Sequence, residues 1–135
     1  MARASGGASV ESMGKLILRV MLGVLMLFHG YAKLRNGVSG IEGMLQNAGL
    51  PGWVAYGVYI GEVLAPLLLI FGWYARVAGL IIAVNMVVAV ALAHAKQLFD
   101  LTKTGGWALE LQAFFLLCGV VVALIGPGRY AINNR

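Results

Sequence analysis

The sequence has few charged residues, few prolines and a single cysteine. Charged residues make up 11% of the 135 residues, whereas a soluble domain usually carries about 25%. So few charges cannot cover a globule in water, because 61% of the residues are hydrophobic. The composition therefore excludes an ordinary soluble domain and predicts one small integral membrane domain.

Several classes of cofactor and partner lack their sequence signals. Cys118 is the only cysteine, so there is no Cys-x-x-Cys pair, no internal disulfide and no cysteine cluster for an iron–sulfur centre. No dinucleotide glycine motif follows a strand, and no flavin or haem motif is present. The net charge of +5 does not indicate nucleic acid, because the basic residues lie singly beside apolar segments.

What is present is a series of four apolar segments separated by polar or glycine-rich turns. They run from about residues 14 to 34, 53 to 73, 76 to 95 and 107 to 125. Each is close to the roughly 20 residues that a helix needs to cross a bilayer. Short connections predict an all-α integral membrane protein, an up-down-up-down bundle of four transmembrane helices. Ile41, Met44, Leu45 and Ala48 predict a short amphipathic helix between helices 1 and 2.

The ends of the chain predict its boundaries and its orientation. Residues 1–13 are small and polar and predict a flexible tail, followed by the transmembrane domain over 14–130 and a C-terminal tail over 131–135. Six basic residues flank the side that carries the termini and four flank the other side, so both termini are expected in the cytoplasm. Arg19, near the start of the first span, is expected to extend to the lipid headgroups.

Small residues and a proline predict how the second span packs. Pro66 has a ring that clashes with the carbonyl of Glu62, four residues earlier. A kink and a buried carboxylate would then coincide and form a polar pocket. Gly57, Gly61 and Ala65 form a row that lets another helix approach closely, and would offer a surface for a homo-oligomer.

Four polar residues are set into the apolar segments, one in or beside each: His29, Glu62, His94 and Glu110. Ionisable residues inside a span are costly and mark functional sites. By depth, all four would fall in the outward-facing half of the bundle, with Lys33 at the rim and Trp107 as an interface anchor that could wall the pocket. If their faces agree, they form one site. Asn85 faces away from His94 and is expected to make an interhelical hydrogen bond.

Three interpretations of this site stay open. In the first, a pocket for a quinone is lined by His29, Lys33, Glu62, His94, Trp107 and Glu110. Glu62 and Glu110 are then catalytic residues that handle protons, and histidine is the usual proton shuttle near neutral pH. In the second, a metal such as zinc, iron or manganese is bound; its ligands would be His29, Glu62, His94 and Glu110. In the third, the residues are structural: Glu62 pairs with His94 or Arg19, and the others are solvated at the interface.

The motifs, taken in order, resemble the DoxX family of small four-helix membrane proteins. The matching elements are Phe28-His29-Gly30 with Lys33-Leu34, Gly49-Leu50-Pro51, Gly61-Glu62, Asn85 and His94, Gly105-Gly106 with Glu110, and Gly126-Pro127-Gly128. They cover nearly the whole stretch from Gly14 to Tyr130. Their order and spacing together are more specific than any single piece.

The resemblance implies a multi-pass protein of the bacterial inner membrane with a redox association. The family takes its name from a membrane subunit of a thiosulfate:quinone oxidoreductase, so it implies a subunit of a quinone-linked oxidoreductase that handles sulfur compounds or oxidative stress. Electrons would come from redox partner subunits or directly from the substrate. The rival functions are a small-molecule transport or binding protein, which would dimerise, and a non-catalytic assembly subunit.

Overall fold

The protein is helical throughout the part of the chain that its structure describes. The structure is a computed structural model and describes residues 2–94, 99–133 and 135, except for the side chains of residues 2–8, 93 and 94. Its helices are α1 (Ala2–Asn36), α2 (Ser39–Asn47), α3 (Gly52–Phe71), α4 (Ala75–Ala89) and α5 (Glu110–Ile125). No strand occurs among these residues, so the predicted all-α fold is confirmed. The predicted short helix between the first two spans is α2.

Helix α1 begins at Ala2, whereas the sequence predicted a flexible tail over residues 1–13. The C-terminal segment packs against the last part of this stretch, at Ser12. The backbone N–H of Arg129 donates a hydrogen bond to the Ser12 hydroxyl at 3.3 Å, and Ser12 is buried. The predicted domain boundaries stay a prediction.

Helix α3 is continuous but irregular. It starts as a 3₁₀-helix over Gly52–Gly57, widens to a π-helical turn over Ile60–Leu64 and ends as a regular α-helix. Because Pro66 has no N–H, the carbonyl of Glu62 lacks its usual donor four residues later. The wide turn absorbs this interruption, and the N–H of Ala65 donates to the carbonyl of Ile60, five residues back. The kink predicted at Glu62 and Pro66 therefore takes the form of a π-helical turn.

The four long helices pack in a ring. Helix α1 contacts α3 and α5, α3 contacts α4, and α4 contacts α5. Helix α4 approaches α5 closely at Gly79 and Gly119, where a Cβ on either residue would lie 2.5 Å from the carbonyl oxygen of the other. Backbones can come this close only where both residues lack a side chain.

The small-residue row on α3 is used inside the chain. A Cβ on Gly61 would meet the Asn85 side chain, and Ala65 is fully buried. Two of its three members are therefore covered by the chain's own helices. The prediction that this row presents a surface for a homo-oligomer is wrong.

The outer surface of the ring is apolar. Phe28, Phe114 and Leu124 are each about two-thirds or more exposed. Two helical stretches, Gly52–Phe71 and Ala75–Leu92, are long and apolar enough to cross a membrane, and α5 is a shorter apolar helix of 16 residues. Four crossings in up-down-up-down order stay a prediction.

Arg19 is buried instead of extending to the headgroups, so that prediction is wrong. Only 1% of the residue is exposed. Its guanidinium donates hydrogen bonds to the carbonyls of Leu69 at 2.8 Å and Ile70 at 3.2 Å, and to the carbonyl of Tyr130. The last carbonyls of a helix have no partner within it, and a cation is favoured at that end. Arg19 thus caps α3 and binds the C-terminal segment to it.

Arg19→Met tests this cap. Methionine fills much of the same space but donates no hydrogen bond, so the carbonyls of Leu69, Ile70 and Tyr130 lose a donor. We expect the free energy of unfolding to fall by about 2–4 kcal/mol, measured by thermal unfolding in detergent. Arg35→Met is the matched control, because Arg35 is exposed on the same helix. A variant at position 19 as stable as the wild type would contradict the capping role.

Gly30→Ala tests the contact between α1 and α3. A Cβ on Gly30 would overlap the carbonyl oxygen of Glu62, the group that Pro66 leaves without its usual donor. The helices would have to separate, and we expect a loss of about 1–3 kcal/mol or more in unfolding free energy. Gly14→Ala, on the same helix with nothing within 4 Å, should instead be neutral or stabilising by about 0.5–1 kcal/mol. Equal effects of the two substitutions would refute the close contact.

Candidate functional site

The candidate site is centred on Glu62, which the π-helical turn of α3 places where three helices meet. The residue is only 4% exposed. Lys33 of α1 donates from Nζ to Glu62 Oε1 at 3.0 Å, and Asn85 of α4 donates from Nδ2 to Oε2 at 3.2 Å. Each carboxylate oxygen therefore has one donor. A buried carboxylate requires such partners, because burial of an unpaired charge costs several kcal/mol.

The backbone around Glu62 brings Lys33 within reach. Gly30 allows α1 to touch the Glu62 carbonyl directly, and Lys33 follows one turn later on α1. The hydroxyl of Tyr59, on α3, donates to the carbonyl of Lys33 at 3.1 Å. The end of α1 is thus held to α3 at three neighbouring places, which fixes the Lys33–Glu62 ion pair.

A cavity of about 580 Å³ lies beside these three side chains. Its walls come from α2, α3 and α4. Lys33, Glu62 and Asn85 are the polar side chains among its described lining residues, and the others are apolar. Leu80, Val84 and Val88 line it and are about half exposed, so it opens along the outer face of α4. The volume lies within the roughly 300–1,000 Å³ typical of small-molecule sites.

His29, predicted to join the site, faces another helix. Its ring packs edge-on against Phe115 of α5, with 5.4 Å between the ring centres, and its Nδ1 lies 3.2 Å from the carbonyl oxygen of Leu25. Gly30 takes the position on α1 that faces Glu62, and the preceding residue is turned about 100° away. His29 is therefore not among the described residues that line the cavity.

Glu110 and Trp107 also lie apart from Glu62. Helix α5 begins at Glu110 and not at Trp107, so Glu110 is exposed at the helix start, where a negative charge is favoured. Its carboxylate lies over Gly106 in the preceding loop. The backbone of Trp107 pairs with Leu101 in the same loop. Neither residue is among the described residues that line the cavity.

The metal interpretation is not supported by the residues whose positions are described. No group of three or more His, Cys, Asp or Glu side chains that could hold a metal occurs among them. The described members of the predicted ligand set, His29, Glu62 and Glu110, thus do not form such a group. The side chain of His94 lies outside the described part of the chain, and its predicted role stays a prediction.

Asn85 is the residue that the sequence did not assign to the site. The interhelical hydrogen bond expected for it is confirmed, but its acceptor is the Glu62 carboxylate. Its distance from His94 in the sequence had suggested a separate face. The sequence feature that could have indicated this contact was Gly61. It belongs to the small-residue row, directly precedes Glu62, and lacks a side chain where the Asn85 side chain packs. The predicted pairing of Glu62 with Arg19 is wrong, because the cation beside Glu62 is Lys33.

Comparison with known proteins places the chain in a family. A family model described as DoxX matches residues 14–95, which is more than half of the chain. The match contains Lys33, Glu62 and Asn85, and it ends before α5.

Two curated proteins are similar to the chain over most of its length. One is "Putative oxidoreductase CatD" of Bacillus subtilis (strain 168), 31% identical over 123 residues, or 89% of this chain and 84% of that protein. The other is "Inner membrane protein YqjF" of Escherichia coli (strain K12), 25% identical over 134 residues, or 93% of each protein. No solved structure matches significantly. The chain therefore belongs to the DoxX family and is a helical membrane protein.

Proposed function

We propose that this chain is an inner-membrane subunit of a redox complex, and that it binds a quinone or a similar lipophilic small molecule in the cavity beside Glu62. The observation that carries the proposal is the division of the cavity into a polar end and apolar walls. Lys33, Glu62 and Asn85 form the polar end. A molecule with a compact polar head and an apolar body or tail matches this arrangement.

The similar proteins support the redox and membrane parts of the proposal. One carries the name "Putative oxidoreductase CatD" and the other "Inner membrane protein YqjF". The DoxX family, which takes its name from a membrane subunit of a thiosulfate:quinone oxidoreductase, points in the same direction. We extend these names to a multi-pass arrangement with both termini in the cytoplasm, in contact with redox partner subunits.

The three polar side chains have distinct roles in this proposal. Lys33 has further N–H donors besides the one used by Glu62, so it can donate to an oxygen of the bound head group. Glu62 can take up a proton and pass it to the head group, and Asn85 holds its carboxylate in place. Reduction of a bound quinone to the quinol would take two electrons from a partner subunit that oxidises a sulfur compound and two protons from water.

The rival functions have weaker support. A transporter formed by pairing two copies through the Gly57–Ala65 row conflicts with the burial of Gly61 and Ala65 inside the chain. An assembly subunit without a ligand would leave the polar end of the cavity without a role. Neither rival requires the purified protein to carry a quinone.

Chromatography of organic extracts from the purified protein tests the proposal. We expect nearly one quinone or quinol per wild-type chain, and a loss of at least fivefold in Glu62→Leu. Removing one partner of a buried ion pair is destabilising, whereas replacing both charges with apolar residues of similar volume is often tolerated, so Lys33→Met combined with Glu62→Leu is extracted as well and should fold. Loss of the quinone from this double variant would then reflect the missing polar end.

Two matched variants complete this test. Glu11→Leu is the control, because Glu11 is exposed on α1 and should leave the bound quinone unchanged. Glu110→Leu distinguishes between the structure, in which Glu110 is not among the described residues that line the cavity, and the sequence prediction, which placed Glu110 in the same pocket. We expect it to keep its quinone. No quinone above the lipid background in the wild type would contradict the proposal and favour the rivals.

A further inference from the structure

The polar end of the cavity presents a donor and an acceptor side by side. Lys33 Nζ and Glu62 Oε1 are 3.0 Å apart, and both residues line the cavity. An ammonium group has three N–H donors, and each oxygen of an ionised carboxylate can accept two hydrogen bonds. The contacts with Lys33 and Asn85 use one acceptor position on each Glu62 oxygen. Among the described contacts, Lys33 Nζ can therefore still donate hydrogen bonds and Glu62 Oε1 can still accept one, at adjacent positions.

A carbonyl oxygen and a hydroxyl group use this pair differently. A carbonyl oxygen only accepts, so it can bind Lys33 but offers nothing to Glu62. A hydroxyl group both donates and accepts, so it can donate to Glu62 while accepting from Lys33. Asn85 has a second N–H and a carbonyl oxygen besides the N–H that donates to Glu62. It can add a contact with either head group, but it gives a carbonyl oxygen no means of donating to Glu62.

We infer that the cavity selects lipophilic molecules whose polar end is a hydroxyl group, namely phenols and quinols with an apolar tail, over carbonyl-only quinones and ethers of the same size. This inference rests on the proposed function, because it concerns the ligand of the same cavity. A hydrogen bond to a charged group contributes enough to make the preference about tenfold to one-hundredfold.

The preference has a consequence for a quinone and its quinol. The quinone becomes the quinol by gaining two electrons and two protons, with the electrons supplied by the partner subunit of the proposed function. Tighter binding of the quinol makes the bound pair easier to reduce than the free pair. Each tenfold preference raises its midpoint potential by about 30 mV, because the couple transfers two electrons.

Equilibrium binding with matched probes tests the inference. The purified wild-type protein in nanodiscs is titrated with para-octylphenol, with its methyl ether, and with an ortho-methylated octylphenol that has the same atoms as the ether. Empty nanodiscs give the partition of each probe into lipid. We expect both phenols to bind saturably and at least tenfold more tightly than the ether.

Glu62→Gln identifies the group responsible for the preference. A glutamine side chain can both donate and accept, so the ether should gain affinity relative to the phenols and their ratio should fall towards one. Glu11→Gln, the same change at an exposed position on α1, should keep the wild-type ratio. If Glu62→Gln does not fold, the wild-type comparison of phenol with ether decides alone.

The outcomes separate the inference from the proposed function. Saturable binding of the ether as tight as that of the phenols would overturn the inference but leave a lipophilic ligand in the cavity. Decylubiquinone is titrated in the same way. Its saturable binding without saturable binding of the phenols would also overturn the inference and support the proposed function. If no probe binds above the level of empty nanodiscs, both are overturned.

Discussion

A buried carboxylate is the constraint on which the structure around the cavity depends. Glu62 is almost fully enclosed, and a charge in such surroundings is stable only with partners that neutralise and bind it. Lys33 supplies the opposite charge from α1, and Asn85 supplies an amide donor from α4. One side chain therefore links both α1 and α4 to α3. The cavity is the space left beside this junction, and it inherits a single polar end.

The local sequence around Glu62 explains how the junction is built. Pro66 prevents a regular helix at this point, and the resulting wide turn places the Glu62 carbonyl against Gly30. A side chain on Gly30 would exclude this contact and move Lys33 away from the carboxylate. Arg19 plays the corresponding part at the C-terminal end of α3, where it binds the last carbonyls of the helix. The middle and the C-terminal end of α3 are thus joined to α1.

The sequence was sufficient for the all-α class, the family and the coincidence of Pro66 with Glu62, because these depend on composition and local chemistry. It was not sufficient to predict which polar residues contact one another. Depth along a helix follows from residue number, but the direction of a side chain around the helix depends on the contact face. On α1 that face is set by Gly30, which turns His29 towards α5. Arg19 was misplaced for a related reason, because its partners are carbonyls, which no sequence pattern reveals.

The central claim, that a lipophilic ligand occupies the cavity between α3 and α4, is tested most directly by filling that cavity. Ala89 lines it, whereas Val87 on the same helix is 55% exposed and is not among the described lining residues. We expect Ala89→Phe to lose the quinone or quinol that co-purifies with the wild type, with the polar end intact, and Val87→Phe to keep it. Near-stoichiometric ligand in Ala89→Phe, or equal loss in both variants, would contradict the account.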